Sequence, residues 1–219
     1  MPSESALRDR DSAGFALIET LGFYPGKGFV RLERHLARLR NSAKVLGFSL
    51  DENAISNALN AISSENSPLR VRIQAEQDGK FQLTSQSFTP TPPDTVWNIK
   101  IAQTRLASND PLLRHKTTKR EAYDQARAEF STEEAHEVLL LNEDGELCEG
   151  TITSLFLDMG DGILKTPPLE AGLLAGVLRG ELIETGHAFE TELRPDDLAS
   201  ATQIYIGNSL RGLIRARLA

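Results

Sequence analysis

At 219 residues and 40% hydrophobic composition, the chain suits one large domain or two small ones around a sizeable core. Its 24 Lys and Arg against 31 Asp and Glu leave a net charge of −7, which disfavours a nucleic-acid partner but allows a local basic pocket. Cys148 is the only cysteine, so an internal disulfide and a cysteine-zinc cluster are excluded and no metal site is expected.

The opening stretch MPSESALRDRDSAG has no apolar core of signal-peptide length, and no later run approaches a membrane span, so a cytoplasmic protein is expected. GFALIETLGF then reads as a strand. The run from Val30 to Leu46 reads as a helix with Leu32, Leu36, Leu39, Ala43 and Leu46 on one face. A second helix begins near Asp51, with Ile55, Leu59 and Ile62 at the same period. LRVRIQAE and GKFQLTSQSF alternate like paired strands around a turn at Asp78 and Gly79. These elements make residues 1–89 a small α+β domain. The three prolines of SFTPTPPDT favour extended backbone and mark a linker at 90–96, leaving 97–219 as the second domain.

VWNIKIAQT opens that second part as a strand. In LLRHKTTKREAYDQARAEF, the residues Tyr123, Ala126 and Phe130 form the apolar stripe of a helix that starts after Thr118, with Thr117 or Thr118 as its cap. Lys116 lies just outside this helix, and taken alone it reads as a solvated lysine. EVLLLNEDGELCEGTITSLFLD reads as a hairpin turning at Glu143, Asp144 and Gly145. LAGVLRGELIETG is a short helix ended by Gly186, and TQIYIGNSL is a strand that breaks at Gly207. Many short strands with few helices suggest a sheet curled around a site.

Some residues carry chemical signals within these elements. Arg31, His35 and Arg38 fall at i, i+4 and i+7 on one helix face, an arrangement that either binds an anion or simply faces water. Regular alternation from Glu146 puts Leu147 and Glu149 on one face, so Glu149 either turns inward toward a ligand able to share a proton or is a solvated strand carboxylate. The glycine of LLAGVLRGE opens a helix where free amides attract phosphate, and Asn208 and Ser209 of GNSLRG either cradle phosphate or form a plain turn.

The segments LIETL, RLERHLARLRNSAKVLGF, LRVRI, LLRHKTTKREAYDQA, LNEDGELCEGTITSLF, LKTPPLEAGLLAGVLRGEL and IYIGNSLRG run in order from about Ile18 to Gly212. Jointly they resemble the class IV aminotransferases, pyridoxal-phosphate enzymes of fold type IV, and within that family the 4-amino-4-deoxychorismate lyases. The resemblance implies an α+β two-domain fold with a small N-terminal domain and a larger C-terminal domain built on a curled mixed sheet. It makes Lys116 the catalytic lysine that holds the cofactor's aldehyde, and Glu149 the carboxylate to the pyridine nitrogen. Arg38, the backbone amides of Val177 and Leu178, and Ser209 become the phosphate ligands, with Arg72 and Arg211 as candidates for substrate carboxylates. The implied reaction turns 4-amino-4-deoxychorismate into 4-aminobenzoate and pyruvate; the alternative is a branched-chain or D-amino-acid aminotransferase. A non-catalytic binding module is disfavoured by the intact Lys116 and Glu149, and a homodimer acting on a small molecule is expected.

Several positions depart from the family pattern. Ser154 stands where many members have asparagine, Leu178 where branched-chain members have threonine, and Gly22 where many relatives have arginine. The N-terminal segment looks short, which puts in question the family's strand ahead of Gly14.

Overall fold

The structure is a computed structural model that describes residues 14–64 and 66–219. The strand in question ahead of Gly14 lies outside the described residues. Packing groups the chain through Pro90 with the short segment His115–Lys119, and groups Thr91–Arg114 with Arg120–Ala219.

The first unit holds a four-stranded antiparallel sheet in the order β2-β1-β3-β4, formed by β1 (Leu17–Tyr24), β2 (Gly28–Phe29), β3 (Leu69–Ala75) and β4 (Phe81–Ser87). Leu17, Leu21, Val71, Ile73 and Ala75 are buried, as period-two patterning requires. Helix α1 (Leu32–Leu46) packs on β1 and buries Leu39, Ala43 and Leu46. It also buries His35 and Ser42, while the leucines expected at 32 and 36 are only half-buried, so the inward face is more polar than the leucine periodicity implied. Gly47 ends α1 with φ 73°, its amide bonding back to the Ala43 carbonyl. Helix α2 (Glu52–Asn60) is capped by Asp51, whose carboxylate accepts from the Ala54 amide at 2.9 Å.

The second unit is a mixed sheet of eight strands in the order β10-β9-β8-β11-β12-β5-β6-β7. Its strands are β5 (Val96–Leu106), β6 (Glu137–Asn142), β7 (Leu147–Gly150), β8 (Ser154–Asp158), β9 (Leu164–Thr166), β10 (Ala188–Glu190), β11 (Gln203–Asn208) and β12 (Gly212–Leu218). Because β7 also pairs with β8 through Glu149 and Ser154, six of the strands close on themselves. One core, with Ile99, Leu139, Leu141, Leu147, Leu155 and Ile206, takes one side of the sheet. A second core, with Ala102, Tyr123, Ala126, Val138, Leu140 and Cys148, takes the other side beneath α3 (Glu121–Ala128). Strand β6 is therefore buried at every position and reads as a continuous apolar run from Val138 to Leu141. Helices α4 (Val177–Glu184) and α5 (Pro195–Ser200) complete the unit. No described helix is long and apolar enough to cross a membrane.

Neither Thr117 nor Thr118 caps α3, which begins at Glu121 after Arg120 with no side-chain cap. Both threonines serve their own segment instead. The Thr118 hydroxyl accepts from the Ala16 amide at 2.9 Å, and the Thr117 hydroxyl accepts from the Lys119 amide at 3.2 Å.

Two glycines give opposite expectations. At Gly172, φ is +88° and an added Cβ would lie 2.6 Å from Ser108 Cα, so Gly172→Ala is expected to cost about 2 kcal/mol or more. Gly180, inside α4, has nothing within 4 Å of its Cβ position, so Gly180→Ala is expected to stabilise by about 0.5–1 kcal/mol. Urea unfolding of the two variants measures both signs.

Candidate functional site

In the first unit, Lys116 is fixed by backbone pairing to the N-terminal end of β1. The Ile18 amide donates to the Lys116 carbonyl at 2.8 Å and the Thr118 amide to the Ala16 carbonyl at 2.9 Å, flanking the antiparallel bridge between Leu17 and Thr117. His115 is clipped to α1 by a 2.9 Å hydrogen bond between its Nδ1 and the Ser42 hydroxyl. Lys116 therefore sits on a strand-like, immobilised backbone. Alternation puts its side chain on the face of Ile18, the residue it opposes, and away from that of Thr117.

The same rule places other residues of this sheet. Arg72 pairs with Thr20 and Arg70 with Gly22, so both arginines share the Ile18 face. Arg72 donates to Gln74 Oε1 at 3.4 Å. Glu19 points the other way, toward α1. There it meets Arg38, whose Nε and Nη2 reach its two oxygens at 2.8 and 2.7 Å, and His35, whose Nδ1 lies 2.6 Å from Oε2. A carboxylate can only accept, so His35 Nδ1 carries the proton in this contact. The helix face that asked for an anion has one supplied by its own chain.

Glu19 and His35 are each 1% exposed. Burial alone would raise the Glu19 pKa, but the Arg38 charge and the hydrogen bonds from Arg38 and His35 more than offset it and hold the carboxyl at about 2. Arg31, the first residue of that face, is the only non-glycine residue with positive φ among the described residues, at 57°, and it forms the turn into α1.

In the second unit, Glu149 is 4% exposed, and it does not share a face with Leu147. The register shifts so that Leu141 pairs with Leu147 and Leu140 with Glu149, leaving Cys148 as the extra residue of a bulge. The bulge turns Glu149 toward the side of Leu140 and Tyr123. The Tyr123 hydroxyl donates to Glu149 Oε1 at 2.7 Å, and the Leu174 amide donates to the same oxygen at 2.9 Å. Burial, then the Glu149 charge, push the Tyr123 phenol well above its ordinary range, so it remains a donor. The Arg120 guanidinium covers the Tyr123 ring, 4.8 Å from its centroid. Burial, reinforced by nearby carboxylates, raises the Cys148 thiol, which contacts the Ala171 carbonyl at 3.2 Å and makes a poor nucleophile.

After Glu149 the chain turns through Gly150–Thr153 around a buried carboxylate. Glu137 Oε1 accepts from the amides of Val138 and Thr151 and the Thr151 hydroxyl, and Oε2 from the Ile152 amide and the Thr153 hydroxyl, at 2.5–3.1 Å. A Cβ at Gly150 would lie 2.9 Å from the Glu137 side chain. Arg120 Nη2 donates to the Thr151 carbonyl at 2.5 Å and Asn208 Nδ2 to the Ile152 carbonyl at 3.1 Å, so the turn is held from outside as well.

Val177 and Leu178 open α4 behind Gly176, with their amides at the helix N-terminus. A Cβ on Gly176 would sit 2.6 Å from Ser154 Oγ, and one on Gly207 would sit 2.5 Å from the Gly212 carbonyl oxygen and 3.0 Å from Leu178 Cδ2. These close approaches bring the start of α4, Ser154 and the end of β11 together, with the buried Ser209 following. Asn208 shapes that turn: its Oδ1 accepts from the amides of Leu210 and Arg211 at 3.1 and 3.0 Å. The exposed Arg211 lies over the Trp97 ring at 5.4 Å. No cluster able to hold a metal occurs among the described residues.

Glu19 and Glu137 belong to none of the motifs that mark the other site candidates, and Tyr123 fits the apolar stripe of its helix. A carboxylate inside or at the head of an apolar strand was the available signal for the first two. Because the folded Glu19 carboxyl is held below its ordinary value, its contribution to stability is full above that value and is lost as pH falls through the folded one. The contribution is on the order of 3 kcal/mol. The stability gap between the native chain and Glu19→Gln, followed by urea unfolding, is expected to narrow progressively below pH 4.5 toward about 2.

The chain matches Amino-transferase class IV over residues 16–219. A Schizosaccharomyces pombe protein provisionally named an aminodeoxychorismate lyase is 32% identical over 210 residues, covering 92% of this chain and 89% of the relative. A crystal structure from Mesorhizobium loti, provisionally assigned as an amino-acid aminotransferase, is similar with a TM-score of 0.91 at 48% identity, over 94% of this chain and 100% of that one. The 4-amino-4-deoxychorismate lyase of Pseudomonas aeruginosa is similar with a TM-score of 0.78 at 26% identity, over 93% and 82% of the two chains. This chain is thus a member of the class IV aminotransferases, pyridoxal-phosphate-dependent enzymes of fold type IV.

Proposed function

We propose that the enzyme is a lyase that converts 4-amino-4-deoxychorismate into 4-aminobenzoate and pyruvate. The observation that carries this reading is the sheet face shared by Lys116, Arg70 and Arg72: an amine and two guanidiniums suit an amino substrate with two carboxylates. The lyase names of the fission-yeast and Pseudomonas relatives support it. A class IV aminotransferase acting on amino acids is the second reading, favoured by the 48% identity to the Mesorhizobium protein.

The residues present fit pyridoxal phosphate. Gly176 and Gly207 let the start of α4, Ser154 and the end of β11 pack closely together, beside helix amides suited to a phosphate. Glu149 is a buried carboxylate oriented by the Tyr123 hydroxyl and the Leu174 amide, a group suited to a protonated ring nitrogen. When bound, the cofactor supplies an electron-withdrawing ring that stabilises negative charge on the substrate carbon bearing the amine. Lys116 Nζ holds the cofactor's aldehyde and, once released, moves the proton at that substrate carbon. Glu149 keeps the proton on the ring nitrogen, and Tyr123 and the Leu174 amide keep Glu149 in place. Arg38, the amides of Val177 and Leu178, and the Ser209 hydroxyl bind the phosphate. Arg72, with Arg70 beside it, and Arg211 orient the substrate carboxylates. The assembly we assign from the family resemblance is a homodimer.

The purified protein is expected to absorb in the visible region and to lose that band on borohydride reduction, with the added mass on Lys116 by peptide mass spectrometry. Modification of Lys119 instead overturns the assignment, and Lys116→Ala is expected to abolish turnover. Supplied with enzymatically made 4-amino-4-deoxychorismate and no amino acceptor, the enzyme is expected to release 4-aminobenzoate and pyruvate in equal amounts. A response only to leucine, D-alanine or glutamate with 2-oxo acids replaces the lyase by the aminotransferase.

A further inference from the structure

The Glu19 site is unusual for its strand. Its neighbours Leu17 and Leu21 and its partner Ile73 are fully buried and apolar, and Glu19 itself is 1% exposed. Replacing a buried ion pair by packed apolar residues is often neutral or stabilising, so folding alone gives little reason for a carboxylate here. What the carboxylate does give is geometry. Both its oxygens engage Arg38 as a fork, through Nε at 2.8 Å and Nη2 at 2.7 Å, which fixes the guanidinium plane as well as its position. His35, one turn earlier on the same helix, holds Oε2 at 2.6 Å, so the carboxylate cannot rotate without breaking a second bond. The buried carboxylate and imidazole and the largely buried guanidinium form one unit spanning β1 and α1. The preceding residue of β1, Ile18, holds the Lys116 carbonyl, so neighbouring residues of one strand anchor both Lys116 and Arg38.

We infer that Glu19 is a positioning residue that aims Arg38 at the cofactor phosphate, with His35 locking the carboxylate. The inference rests on the assignment of Arg38 to the phosphate made above. It differs from a general structural role in one respect: it acts only on ligands that carry the phosphate.

The test titrates the cofactor-stripped full chain with pyridoxal phosphate and, separately, with pyridoxal, following the visible band. Glu19→Gln is expected to weaken pyridoxal phosphate about tenfold and leave pyridoxal unchanged. Arg38→Gln is expected to weaken it about a hundredfold, and the double variant no further than Arg38→Gln alone, because the two residues act as one unit. Should Glu19→Gln fail to fold, Glu19→Asp, which shortens the reach to the fork, and His35→Gln are expected to move the phosphate-dependent affinity in the same direction. Equal weakening of both ligands, tighter binding of pyridoxal phosphate, or strictly additive effects in the double variant would each overturn the positioning role while leaving the Arg38 assignment standing. An Arg38→Gln variant that binds pyridoxal phosphate as tightly as the native chain removes the assignment itself, and the inference with it.

Discussion

A carboxylate taken out of water must be met by donors, and this constraint organises much of the molecule. Glu19, Glu137 and Glu149 are all buried, and each recruits its donors from segments remote in sequence. Glu19 draws a guanidinium and an imidazole from α1. Glu137 gathers amides and hydroxyls from the turn that follows β7. Glu149 takes a phenol from α3 and an amide from the chain beyond Gly172. Each of these contacts joins elements that hydrophobic packing would hold less specifically.

The three solutions differ in charge, and the difference suits what each carboxylate does. Glu137 meets only neutral donors in its hydrogen bonds, enough to fold a turn tightly around it. Glu19 meets a full positive charge, which keeps it ionised far into acid. Glu149 accepts from a phenol and a backbone amide on its Oε1, drawn from two different segments of the second unit. The chain's overall acidity says nothing of these local balances.

Much of this was legible before the structure. The strand patterns and the two helices of the first unit follow from hydrophobic periodicity, because one buried face leaves a clear trace in the residue order, and the curled sheet of the second follows from its many short strands and few helices. Three features were not. The face of α1 admits His35 and Ser42 because each meets a polar partner that lies far away in sequence. The direction of Glu149 depends on one unpaired residue in a ladder, which no local pattern announces. Thr117 and Thr118 looked like helix caps since their type suits that duty, but the tertiary pairing of their backbone with β1 claims them first. Candidate site residues in the second unit come from motifs rather than periodicity, and of the two roles the motif leaves open for Asn208, its Oδ1 takes up the turn.

The segment His115–Lys119 has a consequence for how such a protein is taken apart. The chain leaves the second unit at Arg114, lends five residues to the first, and returns at Arg120. No single cut therefore separates the two units: a fragment ending near Pro90 lacks the backbone that pairs with Ala16 and Ile18, and the complementary fragment carries an orphaned loop. Recombination that exchanged one unit for a homologous one would have to carry this loop's matching contacts with it. Lys116 is thus encoded in one part of the gene and held by another, a linkage that discourages modular exchange.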